Sequence, residues 1–194
     1  EMPGDKLTKP PNKGRPKLPA IALIVSGGHT SLFYIKAFDN FRLLGQTLDD
    51  AAGEAFDKVA KILDLGYPGG PVIDRLSKRT KRSTLRFKPA TLPGTHNFSF
   101  SGVKTAVLYH YQKHKSDTSF SVAQVAHSFQ DSVVSVLSHK SITACQKLNC
   151  RTLLIGGGVA ANSALREKIM EEADKNRILA YFPPMSLCTD NAAM

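Results

Sequence analysis

Two glycine-rich turns are the parts of this sequence best suited to bind a ligand. The first, Ser26 to Thr30, lies between two apolar runs, Ile21 to Val25 and Leu32 to Ile35. This pattern predicts a β-hairpin in which Gly27 and Gly28 supply the positive φ of a tight turn. Glycines also let a ligand approach the backbone, and the N–H groups of such a turn can form an anion-binding nest. The turn is a candidate phosphate site, and a simple hairpin closure is the alternative.

The second turn, Gly156-Gly157-Gly158, follows an apolar run from Thr152 to Ile155 and precedes a predicted helix. Close backbone approach and the unpaired N–H groups of a helix start suit a nucleotide. The turn is neither a G-x-G-x-x-G motif nor a P-loop, because no Lys-Ser/Thr pair follows. Asn162, in the predicted first helical turn, could hydrogen-bond a base or a ribose. The alternative is a tight strand-to-helix turn with Asn162 at the surface.

Three acids, Asp50, Glu54 and Asp57, recur at helical spacing and share one predicted face. Like charges at this spacing destabilise a helix unless a cation, a hydroxyl-rich ligand or basic side chains oppose them. Lys58 and Lys61 are candidates for the last role. A solvated helix face is the alternative interpretation.

A third glycine pair, Gly69-Gly70, precedes Asp74 and resembles a small binding turn followed by an acceptor on a helix. A Pro-Gly turn with an exposed Asp74 is the alternative. The segment from 75 to 88 contains no acid, and could contact phosphates or form a solvated face. Its cations are Arg75, Lys78, Arg79, Lys81, Arg82, Arg86 and Lys88.

Two histidines, His110 and His114, stand four residues apart on a predicted helix, a spacing that can hold a metal. The acid of an H-E-x-x-H motif is missing between them, and no third ligand is evident, so we do not predict a metal site there. Asp190 has a simple interpretation as a helix N-cap.

The elements that must position these residues follow from periodicity. Strands are predicted at about 20–26, 30–36 and 41–47, forming a meander. Helices are predicted at about 49–65, 71–80, 101–114 and 121–148, with Asp49 or Asp50 capping the first. A closing unit of strand 152–155, a helix to about 175 and strand 178–182 predicts parallel pairing in an α/β fold.

Composition narrows the class of partner and compartment. The formal net charge of +10 favours a polyanionic partner such as nucleic acid. Three cysteines without a C-x-x-C pair predict no disulfide and a cytoplasmic location. No apolar run approaches the roughly 20 residues of a membrane span. Residues 1–19 hold five prolines among basic side chains and are predicted to be a linker or loop.

Six sequence blocks, in order, closely resemble the TsaD family of tRNA threonylcarbamoyltransferases. They are residues 24–30, 49–58, 67–71, 98–105, 156–162 and 188–194. The resemblance implies the α/β fold of the sugar kinase, heat-shock chaperone and actin-like ATPase superfamily, with two lobes around a nucleotide. Residues 20–194 would form mostly the second lobe, divided into a β-meander (20–47), a helical part (49–148) and an α/β nucleotide unit (151–194).

The family reaction implied by this resemblance moves a threonylcarbamoyl group from threonylcarbamoyl-AMP to N6 of the adenine 3′ of the anticodon. The tRNAs concerned read codons that begin with A. The implied partners are tRNA and TsaB-like and TsaE-like helper proteins, and the implied ligands are ATP or threonylcarbamoyl-AMP and one divalent metal, Fe²⁺ or Zn²⁺. No residue is assigned as a general base.

The resemblance also assigns residues to parts of the site. The phosphate region would be lined by Ile24, Val25, Ser26, Gly27 and Gly28, and the ribose side by Asp57, Gly70 and Asp74. Asn162 would meet the adenosine, and Asp190 would ligate the metal.

The family's first phosphate loop and H-x-x-G-H metal pair, both normally upstream, have no counterpart in this sequence. We therefore expect a fragment that binds nucleotide weakly, if at all, and does not turn over alone. Two alternatives stay open: a metallopeptidase, in the older glycoprotease interpretation of the family, and a non-catalytic scaffold paralogue.

Overall fold

The computed structural model describes residues 15–80 and 83–188. Lys81, Arg82, Asp190 and most of the predicted linker lie outside these ranges. Residues 15–19 have no regular secondary structure and lead directly into the first strand.

One five-stranded sheet organises the described residues, with strand order β3-β2-β1-β4-β5. Its strands are β1 (Ala20–Val25), β2 (Thr30–Ala37), β3 (Asn40–Gln46), β4 (Thr152–Gly156) and β5 (Leu179–Tyr181). The first three form the predicted antiparallel meander. β4 pairs parallel with both β1 and β5, which confirms the predicted parallel pairing of the closing unit.

All five predicted helices are present. They are α1 (Ala52–Ile62), α2 (Gly69–Ser77), α3 (Ser101–His114), α4 (Val122–Lys147) and α5 (Ser163–Lys175). Two 3₁₀ turns, Gly158–Ala161 and Met185–Leu187, follow β4 and β5. None of the helices in the described ranges is long and apolar enough to cross a membrane. The elements follow the predicted order, and the division into domains stays a prediction.

The core lies where α4 packs against β1 and β4, with α1 packed against α2 and α3. Leu23 of β1 pairs with Leu32 and Ile155, and all three side chains are buried. Phe129 of α4 meets Phe56 of α1 edge to face, with ring centroids 5.1 Å apart. Burying each such large apolar side chain stabilises the fold by roughly 1.5–3 kcal/mol. This packing fixes α4 against the strands that carry the glycine turns and α1 against α4.

Neither Asp49 nor Asp50 caps α1, contrary to the sequence prediction, because the N-cap is Ala51. The Asp49 carboxylate accepts hydrogen bonds from the backbone N–H of Phe100 (2.8 Å) and from the hydroxyls of Ser99 and Ser101 (2.5 and 2.7 Å), at the start of α3. The reason is long-range: the segment around Phe98 pairs with the chain after β3 and brings α3 to Asp49.

The start of α1 is capped by its own third residue. There the Glu54 carboxylate accepts the N–H of Ala51 at 3.3 Å. The reach from the third helical residue back to the N-cap is one half of a capping box, which satisfies a donor that the helix itself cannot pair.

Candidate nucleotide site

The two glycine turns leave the sheet at the same edge. β1 and β4 are parallel neighbours, and Ile24 pairs with Gly156, the last residue of β4. In α/β sheets, ligands bind in the crevice outside the carboxyl ends of parallel strands. We call the two turns, residues 26–29 and 156–158, the glycine edge.

The first turn is closed by Ser26 and His29. The Ser26 N–H donates to the His29 carbonyl (2.8 Å), and the His29 N–H donates to Ser26 Oγ (3.1 Å). Positive φ among the described glycines occurs at Gly66, Gly94 and Gly157, so the prediction for Gly27 and Gly28 was wrong. The connection between β1 and β2 has four residues. Loops of this length are most often built around a type I turn, whose two central residues have negative φ.

Gly27 and Gly28 nevertheless leave the backbone open. A Cβ added to either would meet no heavy atom within 4 Å, and both residues are exposed. Within the described ranges, their N–H groups make no hydrogen bond. These two unpaired donors belong to exposed residues, as a phosphate nest requires, and the Gly27 nitrogen also lies beside Gly53 of α1.

Helix α1 holds the first turn in place. The Gly53 N–H donates to the Ser26 carbonyl (3.1 Å), and the Ala52 N–H donates to Thr30 Oγ1 (2.9 Å). A Cβ on Gly53 would lie 2.6 Å from the Ser26 oxygen, so this contact needs glycine. Thr30 is fully buried. Its hydroxyl therefore supports the start of the helix.

The second turn presses directly against β1. A Cβ on Gly157 would lie 2.3 Å from the Val25 carbonyl oxygen, and Gly157 has φ +97° and ψ 170°. That region of backbone space is essentially restricted to glycine. Gly157 therefore makes possible the close approach that joins the two turns into one edge.

Asn162 is neither in the first helical turn nor at the surface, so both sequence interpretations need correction. The Gly158–Ala161 turn separates the glycines from α5, and Asn162 is the N-cap, with Oδ1 accepting the Leu165 N–H at 2.9 Å. The residue is 8% exposed. Its Nδ2 donates to Gln130 Oε1 at 2.8 Å.

A buried polar chain continues from Asn162 to α2. Gln130 Nε2 donates to Ser77 Oγ at 2.7 Å, and Ser77 Oγ donates to the Ile73 carbonyl at 2.8 Å. We call Asn162, Gln130 and Ser77 the polar relay. Sequence reasoning missed Gln130 and Ser77. The sequence offers one sign of their role, which is that each is a polar residue on an otherwise apolar helix face.

The predicted ribose-side residues lie on α2 or beside its start. Asp57 Oδ1 accepts the N–H of Gly69, the first residue of α2, at 2.8 Å. The Asp74 carboxylate accepts the Ser163 hydroxyl on both oxygens (2.8 and 2.9 Å), so it is not a freely exposed acid. An added Cβ on Gly70 would meet no atom within 4 Å. Asp74 thus links α2 to the start of α5, beside Asn162.

The acids before and within α1 do not form a free cluster. Lys58 Nζ lies 2.6 Å from Asp50 and 2.7 Å from Glu54, and Lys104 Nζ lies 2.8 Å from Asp50. Burial raises the pKa of Asp50, but hydrogen bonds and charge from Lys104 and Lys58 outweigh it and hold the pKa below its usual value. Basic side chains therefore oppose Asp50 and Glu54: Lys58 as predicted, and Lys104, which was not predicted. The other predicted cation, Lys61, makes no ion pair with a described carboxylate, and Asp57 bonds the Gly69 N–H instead.

The described residues contain no group of three side chains able to hold a metal ion. His114 Nδ1 instead lies 2.7 Å from Asp117 Oδ2. The predicted metal ligand, Asp190, lies outside the described ranges.

Solved structures with the same architecture define the class of fold. The chain matches full-length HypF in the phosphate- and nucleotide-bound form with a TM-score of 0.64 and 11% identity, covering 84% of this chain and 30% of that one. It matches the Clostridium difficile activator of 2-hydroxyisocaproyl-CoA dehydratase, with bound ADPNP, with a TM-score of 0.52 and 13% identity, covering 87% and 55%. At such identities the likeness shows the fold alone, an α/β fold of the actin-like ATPase type, as predicted.

The particular family follows from closer relatives. Residues 7–194 match the TsaD family, described as tRNA N6-adenosine threonylcarbamoyltransferase, and the chain belongs to this family. The protein of that name from Persephonella marina is 52% identical over 182 residues, covering 91% of this chain and 51% of the relative. That from Thermosipho africanus is 51% identical over 179 residues, covering 92% and 54%. The chain spans about half the length of the curated relatives it matches.

Proposed function

We propose that the protein to which this chain contributes transfers a threonylcarbamoyl group from threonylcarbamoyl-AMP to N6 of the adenine 3′ of the anticodon. The acceptors are tRNAs that read codons beginning with A, and the product is t6A. Identity of about one half to relatives with this printed activity, sustained over nearly the whole chain, carries the proposal. The glycine edge supports it, because the reaction needs a site for an adenylate.

In this proposal the adenylate lies along the glycine edge. The phosphate accepts hydrogen bonds from the N–H groups of Gly27 and Gly28, within the lining Ile24, Val25 and Ser26. An aspartate carboxylate has two oxygens, and among the described residues Asp57 uses only Oδ1, on Gly69. Its Oδ2 is left for a ribose hydroxyl, next to Gly70 and Asp74.

Asn162 contributes to the adenosine side in two ways. One N–H and one lone pair of its amide are already committed, to Gln130 and to the Leu165 N–H. An amide has a second N–H and a second lone pair, which can meet the adenosine. The internal bonds fix the orientation of the amide before the ligand arrives, which lowers the entropic cost of binding.

The N6 amine of adenine is a weak nucleophile, so positioning and stabilisation of developing charge dominate the proposed mechanism. The open donors of the glycine edge are directed at the phosphate that leaves. A divalent metal, Fe²⁺ or Zn²⁺, with Asp190 among its ligands, would supply Lewis acidity at the carbamoyl or phosphate oxygens.

The proposed partners are tRNA and TsaB-like and TsaE-like helper proteins, acting in the cytoplasm. The formal net charge of +10 suits a tRNA partner. Arg75 and Arg79 are exposed at the end of α2, as is Lys88 in the following segment, and they are proposed to contact tRNA phosphates.

The direct test is a transfer assay on the intact protein, with metal, threonylcarbamoyl-AMP, unmodified tRNA and helper proteins. The wild type is compared with Asp190→Ala and with the matched control Asp117→Ala, which removes an acid from the far end of α3. We expect modified adenosine from the wild type and the control, and its loss in Asp190→Ala.

Two results of this assay would contradict the proposal. Absence of modified adenosine despite active helpers would favour a scaffold paralogue. Release of new N-termini from a protein substrate would favour a metallopeptidase.

A further inference from the structure

A cavity separate from the glycine edge lies between the loop 91–96 and the C-terminal half of α4. It shares no residue with the glycine edge. Its volume is about 430 Å³. The α4 side chains that line it recur every three or four residues, so one face of the helix borders the cavity. They are Ser135, Val136, His139, Lys140, Thr143 and Lys147.

Lys140 is the most unusual group in this cavity. The residue is only 6% exposed, and its ammonium donates to the carbonyls of Thr95 (2.8 Å) and Leu92 (3.4 Å). Within the described ranges, no carboxylate lies within ion-pair distance of it. Buried lysines are normally paired with an opposite charge. Two of its three N–H groups are used, which leaves one for a ligand.

The remaining polar groups of the cavity are also donors or cations. His96, His139 and Lys147 line it with Lys140, and none of the described lining residues is acidic. Burial, followed by the charges of Lys147 and Lys140, lowers the pKa of His96. Burial and the charge of Lys147 also lower the pKa of Lys140. An anion among these groups would relieve their mutual repulsion.

We propose that this cavity binds the phosphate group of a small phosphorylated molecule. Lys140, Lys147 and His96 supply charge and donors to the phosphate, helped by the hydroxyls of the lining threonines. Leu92 and Val136 give the organic part of the ligand an apolar wall. The volume falls within the roughly 300–1,000 Å³ range of small-molecule sites.

The position of Lys140 favours a small ligand over a nucleic acid backbone. Backbone phosphates are contacted mainly by exposed cations on a convex or open surface. Lys140 is buried and lines a cavity, so a compact phosphate monoester reaches it more readily than a duplex does.

The test is a titration of the chain with inorganic phosphate, followed by NMR of the histidine ring protons and by calorimetry. We expect saturable binding, shifts at His96 and a rise in the pKa of His96 as the anion binds. Lys147→Gln removes an exposed cation and should weaken phosphate binding by about tenfold, the effect of one charge-assisted hydrogen bond. Lys36→Gln, an equal charge change on β2, should leave the affinity unchanged.

Lys140→Met tests the buried ammonium itself. Its thermal unfolding is measured alongside, because the loop carbonyls lose their donor. If Lys140→Met does not fold, Lys147→Gln carries the test. In a folded Lys140→Met variant, the phosphate-induced shifts at His96 should be lost while ATP still binds at the glycine edge.

Three outcomes would overturn the assignment. One is the absence of saturable phosphate binding in the millimolar range, and another is equal affinity in wild type and Lys147→Gln. The third comes from the competing ligands, acetate and a short RNA duplex. Acetate binding as tightly as phosphate would identify a carboxylate site, and Lys147-dependent binding of RNA without binding of phosphate would identify an RNA surface.

Discussion

At the scale of single residues, Gly157 is the position where the backbone most clearly excludes a side chain. An added Cβ would lie 2.3 Å from the Val25 oxygen, and φ is +97°. We expect Gly157→Ala to lower the free energy of unfolding by more than about 2 kcal/mol, from backbone strain and the clash together. Urea denaturation measures this change.

Gly94→Ala is the matched control, because Gly94 also has positive φ (+77°) but open space around its Cβ position. It should cost only the strain of a left-handed backbone, roughly 1–2 kcal/mol. Equal costs at the two positions would show that the close approach of the second turn to β1 does not constrain the fold.

Gln130 is the residue on which the polar relay depends, since it bonds both Asn162 and Ser77. Gln130→Leu leaves the amide and the hydroxyl buried with fewer partners. A buried polar group without its partner costs about 1–3 kcal/mol, so we expect a loss of that order in unfolding free energy. The measurement is urea denaturation, with Gln124→Leu on the exposed face of α4 as the control.

A destabilisation no larger than that of Gln124→Leu would contradict the structural role of the relay. In the intact protein, the account also predicts that Gln130→Glu weakens adenylate binding. The carboxylate can still accept from Asn162 but no longer donates to Ser77.

Sequence reasoning located the residues that line the edge but not how their donors are used. Gly27, Gly28 and the Gly156–Gly158 triplet stand out because consecutive glycines between apolar runs are typical of turns in which the backbone must stay uncovered. The bonds of Asn162 and Asp74 could not be predicted, because their partners, Gln130 and Ser163, lie 32 and 89 residues away in sequence.

At the scale of elements, Asp49 shows how one helix is capped from outside. Burial raises the pKa of Asp49, but hydrogen bonds from Ser99, Ser101 and the backbone of Phe100 and Ser101 lower it by more, so the folded pKa lies below the usual 3.8. A depressed pKa means that the carboxylate stabilises the fold above about pH 4 and loses this effect as pH falls through the folded value.

Asp49→Ala should therefore cost about 1 kcal/mol at neutral pH, the usual value of a lost helix cap. The difference from wild type should shrink in urea titrations as the pH is lowered below 3.8 and through the depressed folded pKa, where the carboxylate becomes protonated. Asp39→Ala, in the turn after β2, is the control and should show little effect at either pH. A cost for Asp49→Ala that stays constant with pH would contradict the capping role.

Helical periodicity identified all five helices, and errors occurred only at their ends. The first helix starts at Ala52 because neither Asp49 nor Asp50 caps it: the Asp49 carboxylate bonds to the start of α3, and the Asp50 carboxylate pairs with Lys58 and Lys104. The second starts at Gly69, before the predicted 71, because Asp57 of α1 accepts the Gly69 N–H. Both causes are tertiary, and local sequence patterns do not contain them.

At the scale of the whole molecule, the distribution of positive charge leads to a prediction about tRNA. Arg75, Arg79 and Lys88 are exposed and make no ion pair with a described carboxylate. Replacing all three with Ser in the intact protein should weaken tRNA binding and reduce the slope of log K against log salt by about 2–3, near one per lost phosphate contact. Filter binding or anisotropy across a salt series measures both.

A control variant that loses three positive charges elsewhere distinguishes direct tRNA contacts from the effect of the protein's net charge. Replacing Lys17, Lys36 and Lys113 with Ser should leave the salt slope close to wild type. If the two triple variants behave alike, the proposed contact is wrong and net charge alone steers the association.

At the scale of the whole molecule, the sheet topology also brings the two glycine turns together. The sequence predicted the meander and the parallel closing unit, and the strand order places the glycine turns after β1 and β4 side by side. About 130 residues separate these turns in sequence, and only the fold shows that one ligand can reach both.

The most direct test of this claim is to titrate ATP into the isotope-labelled chain and follow its backbone and side-chain amide signals by NMR, which detects even weak binding. We expect ATP to shift the amide signals of Gly27, Gly28 and Gly157 and of the Asn162 side chain. All four should follow one saturation curve. If these signals stay fixed while ATP saturates other residues, the glycine edge is not the nucleotide site.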